Sequence, residues 1–78
     1  MKTIRINSED CIFFLERSDD GGAVVNALAP NPDGTFDNYR HWFSDPQMAL
    51  AEYESVDALN GAELIAKARQ ASSRLDTG

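Results

Sequence analysis

The sequence contains one cysteine and one histidine, Cys11 and His41. One cysteine cannot form a disulfide within the chain, and the two side chains fall short of the three or four ligands that zinc sites need. Neither glycine-rich phosphate-binding motif, GxGxxG or GxxxxGKS/T, occurs. Because Cys11 lies in an apolar run, where burial raises a thiol pKa, we expect it in the core. These absences predict a protein that is not an enzyme and uses no metal or cofactor.

Long hydrophobic runs are missing as well. The longest, residues 11–15, has five residues, against the roughly 20 that a membrane-spanning helix requires. The first residues include Lys2 and Arg5 but not the apolar stretch of a signal peptide. We therefore expect a single domain over residues 1–78, located in the cytoplasm and without membrane contact.

Basic residues are scarce: seven lysines and arginines stand against 13 aspartates and glutamates, for a net charge of −6. Direct binding to a phosphate backbone needs a basic surface and is therefore not expected. The acidic excess lies in residues 18–60, where eight acidic residues accompany Arg40 as the only lysine or arginine. If folding brings these acids to one side, their field attracts a basic partner. Alternatively, turn and helix-cap preferences account for Asp20, Asp33 and Asp45.

Aromatic residues are few, but four of the seven lie within residues 36–43. Tyrosine and tryptophan interleaved with charge are typical of protein-binding hot spots. Stacking on single-stranded bases is disfavoured because a basic groove is lacking. We therefore expect a site for the basic surface of a nucleic-acid-binding protein or complex. The predicted partner-binding residues are Asp37, Tyr39, Trp42, Asp45, Glu52 and Glu54.

Hydrophobic patterning and turn residues predict four strands followed by two helices. The strands are predicted over residues 3–6, 10–18, 23–29 and 36–43, and the helices from about 45 to 55 and over 61–75. Residues 19–22 form a hairpin turn, and residues 30–34 interrupt the sheet. The first helix starts either in a capping box begun by Ser44 or with Asp45 as N-cap before Pro46. This order predicts an α+β fold, a two-layer antiparallel sheet of three to four strands with two helices on one face.

The second predicted strand is apolar on both faces. Ile12 and Phe14 point to one side and Phe13 to the other, whereas helices on one side of a sheet cover only one face. Either the loop at residues 30–38 or the chain ends cover the second face, or it meets a partner or a second copy. A homodimer through the Phe13 face is one form of the last alternative.

Residues 16–24 read ERSDDGGAV, residues 43–46 read FSDP, and residues 49–50 are AL. In these segments the chain resembles HicB-type antitoxin domains, with their Asp/Gly-Gly hairpin and their third strand followed by a helix. The resemblance spans residues 11–55 and implies a protein that neutralises a small ribonuclease toxin by docking on it. Residues 30–34 depart from the family's usual Pro-Gly-containing segment, and no DNA-binding extension is recognisable.

The whole chain resembles, at the level of class, the phage-encoded inhibitors of host defence, the anti-CRISPR proteins among them. Short length, acidic charge, α+β organisation and the lack of a catalytic set carry this resemblance. It implies an inhibitor in the host cytoplasm that docks where nucleic acid normally binds, by presenting charge in place of phosphates or by holding a conformation. The class shares no motif, so no site residue follows from it. A HicB-like antitoxin is the alternative function.

Overall fold

The computed structural model describes the backbone of residues 1–77 and the side chains of residues 1–71. The elements are β1 (Lys2–Ile6), β2 (Glu9–Arg17), β3 (Ala23–Pro30), β4 (Phe36–Phe43), α1 (Pro46–Ser55) and α2 (Asn60–Thr77). The strands form one antiparallel sheet in the order β1-β2-β3-β4. The predicted α+β architecture is confirmed, with four strands in the sheet. Within residues 1–77, no helix is long and apolar enough to span a membrane.

The first two hairpin turns use residues at positive φ. Asn7 and Ser8, with φ of 52° and 66°, join β1 to β2 as in a type I′ turn. In the β2–β3 turn, Gly21 has φ of 91°, and the Asp20 carboxylate accepts a hydrogen bond from Gly22 N at 3.1 Å. The hairpin predicted at residues 19–22 is therefore confirmed.

The start of α1 is set by Asp45. Its carboxylate accepts a hydrogen bond from Gln47 N at 2.9 Å, and Pro46 occupies the first turn of the helix. Proline suits this place because its missing N–H has no partner within the helix there. Of the two starts that the sequence allows, the structure uses Asp45 as N-cap rather than Ser44.

Both helices pack on one face of the sheet, as predicted. Cys11 and Phe13 of β2 are fully buried in the main core cluster, which confirms Cys11 as a core residue. Leu64 and Ile65 of α2 belong to the same cluster. Gly61 allows α2 this close approach, because a Cβ there would lie 3.1 Å from Phe13 Cζ. The Phe13 face is covered by the chain's own helix and is not available to a homodimer, which corrects that expectation.

A second, smaller core cluster lies between α1 and the sheet. Ala49 of α1 is fully buried there with Val25 of β3. Phe43 and Tyr53 pack against the cluster. Because Phe43 is the last residue of β4, this packing fixes where the chain turns into α1.

Candidate binding surfaces

One end of the sheet collects three aspartates and the only tryptophan. Ala23 pairs with Phe43 in the β3–β4 register, so the β2–β3 turn and the start of α1 lie at the same end. The surface that we call the acidic end comprises Asp19, Asp20, Trp42 and Asp45. Its aromatic member, Trp42, is 50% exposed.

Local packing holds Trp42 against the β2–β3 turn. Gly22 is buried against β4, where an added Cβ would clash with Phe43 O and lie 3.0 Å from Trp42 Nε1. Hydrogen bonds from Ser18, the Gly22 backbone and Trp42 hold the pKa of Asp20 below its ordinary value. These hydrogen bonds favour the ionised form of Asp20, to which the Trp42 indole N–H donates.

The β3–β4 loop lies at the opposite end of the sheet, since successive turns of an antiparallel meander alternate between its ends. Asn31 N donates to Thr35 O at 2.8 Å, and Gly34 has φ of 89°. The Asp33 carboxylate accepts hydrogen bonds from Thr35 Oγ1 at 2.6 Å and Thr35 N at 3.0 Å, which lower the pKa of Asp33. The aspartates of the β2–β3 turn and of the β3–β4 loop thus lie at opposite ends of the sheet.

Asp37, a predicted partner-binding residue, is engaged within the chain. Its carboxylate accepts hydrogen bonds from Arg69 Nη1 at 2.9 Å and from Asn31 Nδ2 at 3.1 Å. Arg69 Nη2 also donates to both Glu9 carboxylate oxygens, at 3.1 and 3.0 Å, and to Pro30 O at 2.9 Å. Hydrogen bonding to Asp37, which has the largest effect, and hydrogen bonding to Glu9 both raise the pKa of Arg69. The charge of Asp37 is therefore matched within the fold, where it ties β4 to α2.

Three further predicted residues lie away from the acidic end. Tyr39 packs against the main core, with Lys67 Nζ 5.4 Å from its ring centroid. Glu52 Oε2 lies 2.8 Å from His41 Nδ1, and both residues line a cavity of about 130 Å³ between β4, α1 and α2. Pockets that hold drug-sized ligands are larger, about 300 to 1,000 Å³. Glu54 is exposed near the end of α1. The acidic end therefore contains two of the six predicted residues.

The sheet face opposite the helices has a partly apolar surface. Ile12 pairs with Leu28 and Phe14 with Asn26, in alternation with the core residues. Phe36 at the start of β4 is 47% exposed. We call this surface the helix-free face, and its apolar residues are Ile12, Phe14, Val24, Leu28, Phe36 and Trp42. Trp42, which lies opposite Val24, thus belongs both to this face and to the acidic end.

Two ion pairs lie on the helix-free face. Arg5 Nη1 is 3.2 Å from Asp10 Oδ1, and Arg40 Nη2 is 3.2 Å from Glu16 Oε1. Asn26, almost fully buried, donates a 3.1 Å hydrogen bond to the same Glu16 oxygen. With two arginines and two acids, the face has no net charge although the whole chain carries −6.

Sequence patterning alone does not single out Asp19 or Arg69. Asp19 belongs to the acidic end because of the β3–β4 register, which becomes a signal once the two strands are aligned across their loop. Arg69 has no comparable signal, since its carboxylate partners Glu9 and Asp37 are 60 and 32 residues away.

No protein-family profile, curated protein or solved structure matches the chain. The resemblance to HicB antitoxins expected from residues 16–24 and 43–46 stays a prediction. The first segment forms the β2–β3 turn with the adjoining strand ends, and the second forms the entry into α1. Both are common local structures. A functional proposal therefore rests on the surfaces of this chain.

Proposed function

We propose that this chain is a non-enzymatic inhibitor whose acidic end docks on a basic surface of a nucleic-acid-handling protein, as in phage inhibitors of the anti-CRISPR type. The observation that carries the proposal is the half-exposed Trp42, which lies beside Asp20 and at the same end of the sheet as Asp19 and Asp45. Tryptophan is enriched among the few residues that dominate binding energy at protein interfaces. Its ring also stacks favourably on arginine, a frequent residue of surfaces that bind phosphates.

The negative charge of the acidic end supports the same partner. Among the residues whose side chains the structure describes, Asp19, Asp20 and Asp45 form no ion pair. Asp20 and Asp45 accept hydrogen bonds from backbone N–H groups, which orient their carboxylates without cancelling the charge. Three carboxylates at the same end of the sheet as an exposed aromatic ring offer a basic partner both long-range attraction and short charged hydrogen bonds.

The test compares capture of partners from a lysate of the source cell by the tagged chain and by two variants. Asp19→Lys reverses a charge at the acidic end. Glu63→Lys makes the same change in net charge on α2 and is the matched control. We expect the chain to capture a nucleic-acid-binding protein, and DNA or RNA to compete with it. Capture should weaken roughly tenfold with moderate added salt, because the attraction is electrostatic.

Asp19→Lys should weaken that capture, whereas Glu63→Lys should leave it unchanged. A captured protein that tolerates Asp19→Lys and is indifferent to salt would overturn the proposal. Recovery of a small ribonuclease, encoded beside this chain's own gene, would replace it with the HicB-like antitoxin function.

A further inference from the structure

Nothing in the described part of the chain packs on the helix-free face. Ile12, Phe14 and Leu28 are half-buried by their neighbours in the sheet, and Phe36 is more exposed. The loop at residues 30–38 was expected as one possible cover, but Asn31 in this segment is bonded to α2 on the other side of the sheet, and residues 36–38 belong to β4. Arg69 there donates to Asn31 Oδ1 at 2.6 Å. Contiguous apolar surface of this kind marks a site of interaction.

The net charge of this face, compared with that of the whole chain, indicates which partner can bind to it. A basic partner is drawn to the acidic end and gains little from a surface whose arginines and acids already pair with each other. A second copy of this chain carries the same charge of −6 and is repelled by every strongly acidic surface. The helix-free face is the neutral surface on which two such copies can meet. Its apolar residues lie beside two ion pairs, and protein interfaces likewise combine apolar contacts with paired polar groups.

The size of the face sets the strength of the contact. Strands of eight residues are about 26 Å long, and four strands span about 14 Å between their outer axes. Two faces in contact therefore bury roughly 800 to 1,000 Å² in total, which is below the range of stable interfaces and within that of weak, transient ones. We therefore expect a reversible association that is populated only at micromolar concentrations and above.

We propose that the helix-free face is the interface of a homodimer in which the sheets of two copies stack face to face. Sheets pack in this way about 10 Å apart, with apolar side chains of the two faces interlocking. The helices then face outward on both copies, whereas Trp42, which lies opposite Val24, is at the edge of the contact. The dimer and the proposed function would both use Trp42, but the three aspartates of the acidic end are not needed for the dimer, so the proposal does not depend on the proposed function.

The experiment measures the mass of the full chain by sedimentation equilibrium from about 1 to 500 µM, a range that brackets a micromolar dissociation constant. The mass should rise from 8.6 kDa towards twice that value. Phe36→Glu, at an exposed position, should weaken the dimer roughly tenfold or more by placing a charge in the apolar contact. Ile12→Glu tests the middle of the patch. Leu59→Glu, at a position 84% exposed beyond α1, is the matched control and should leave the dimer intact.

Added salt separates this dimer from docking by the acidic end. Because salt screens the repulsion between two chains of charge −6, it should strengthen the dimer while it weakens capture of a basic partner. A chain that stays monomeric at the highest concentration would overturn the proposal. So would a dimer that Phe36→Glu leaves unchanged, and this variant decides the question if Ile12→Glu does not fold.

Discussion

At the scale of single residues, aspartate has three roles in this chain. Asp45 caps α1, Asp33 closes the β3–β4 loop, and Asp37 pairs with Arg69. The first two roles could be predicted, because a cap or a turn is decided by residues within three positions. The third could not, since Arg69 lies 32 residues further along the chain. For this reason Asp37 was expected at a partner-binding site and is found in an internal ion pair.

Cys11 gives a prediction at the same scale. Burial raises the pKa of the Cys11 thiol above its ordinary value of 9.0, and the negative charge of nearby Glu9 is the second cause of this increase. Above pH 9 the unfolded chain therefore loses a proton that the folded chain keeps, so stability falls as the pH rises further. We expect the difference in unfolding free energy between the chain and its Cys11→Ala variant to be constant below pH 8 and to shrink above pH 9. Urea unfolding from pH 7 to 10 measures it, and a constant difference would show that the thiol does not titrate differently on folding.

At the scale of elements, local sequence patterns were sufficient to predict the positions of the strands and helices. The strands and helices begin and end within two residues of their predicted positions. Alternation also assigned the faces of β4 correctly, with Tyr39 and His41 towards the helices and Trp42 on the other side. Both results follow because alternation, turns and caps depend on neighbouring residues. How α2 lies across the sheet depends on distant contacts and was not predicted.

Asp45 offers a test of one element. Asp45→Ala removes the side-chain acceptor for Gln47 N and should lower the unfolding free energy by about 1 kcal/mol. Asp45→Asn keeps an oxygen acceptor and removes only the charge, so its stability should stay within a few tenths of a kcal/mol. Chemical denaturation measures both. If the two variants lose equal stability, the charge rather than the hydrogen bond stabilises the start of α1.

At the scale of the whole molecule, the order of the strands determines where the acidic residues lie on the surface. The sequence places the acidic excess in one stretch of 43 residues, 18–60. In the folded sheet, successive turns of this stretch lie at opposite ends, so their aspartates are separated. At one end Arg69 forms ion pairs with Glu9 and Asp37. At the end that contains Trp42, the aspartates form no ion pair with any residue whose side chain is described. The sequence therefore indicated the residue types of the candidate surface but not which of them lie together, because that depends on the order of the strands.

Arg69 joins α2 to the ends of three strands, so its loss should affect the whole fold. Arg69→Met removes the hydrogen bonds to Glu9, Asp37 and Pro30 and leaves two carboxylates without their cation. We expect the unfolding free energy to fall by about 2 kcal/mol, since the group is partly screened by water.

Arg40→Met is the matched control, because it breaks an exposed ion pair and should cost less than about 0.5 kcal/mol. Arg69→Lys should recover only part of the loss, since an ammonium cannot reproduce the planar fork. Equal losses in the Arg69→Met and Arg40→Met variants, compared by urea denaturation, would contradict this role.

The order of the strands also governs how the protein is made. Each strand pairs with the one before it, so a newly synthesised strand leaves the ribosome next to a partner that is already present. The helix that covers Phe13, α2, is synthesised after all four strands. Until it arrives, the nascent sheet exposes apolar residues to water on both sides, and this is the stage at which the chain most needs protection from aggregation.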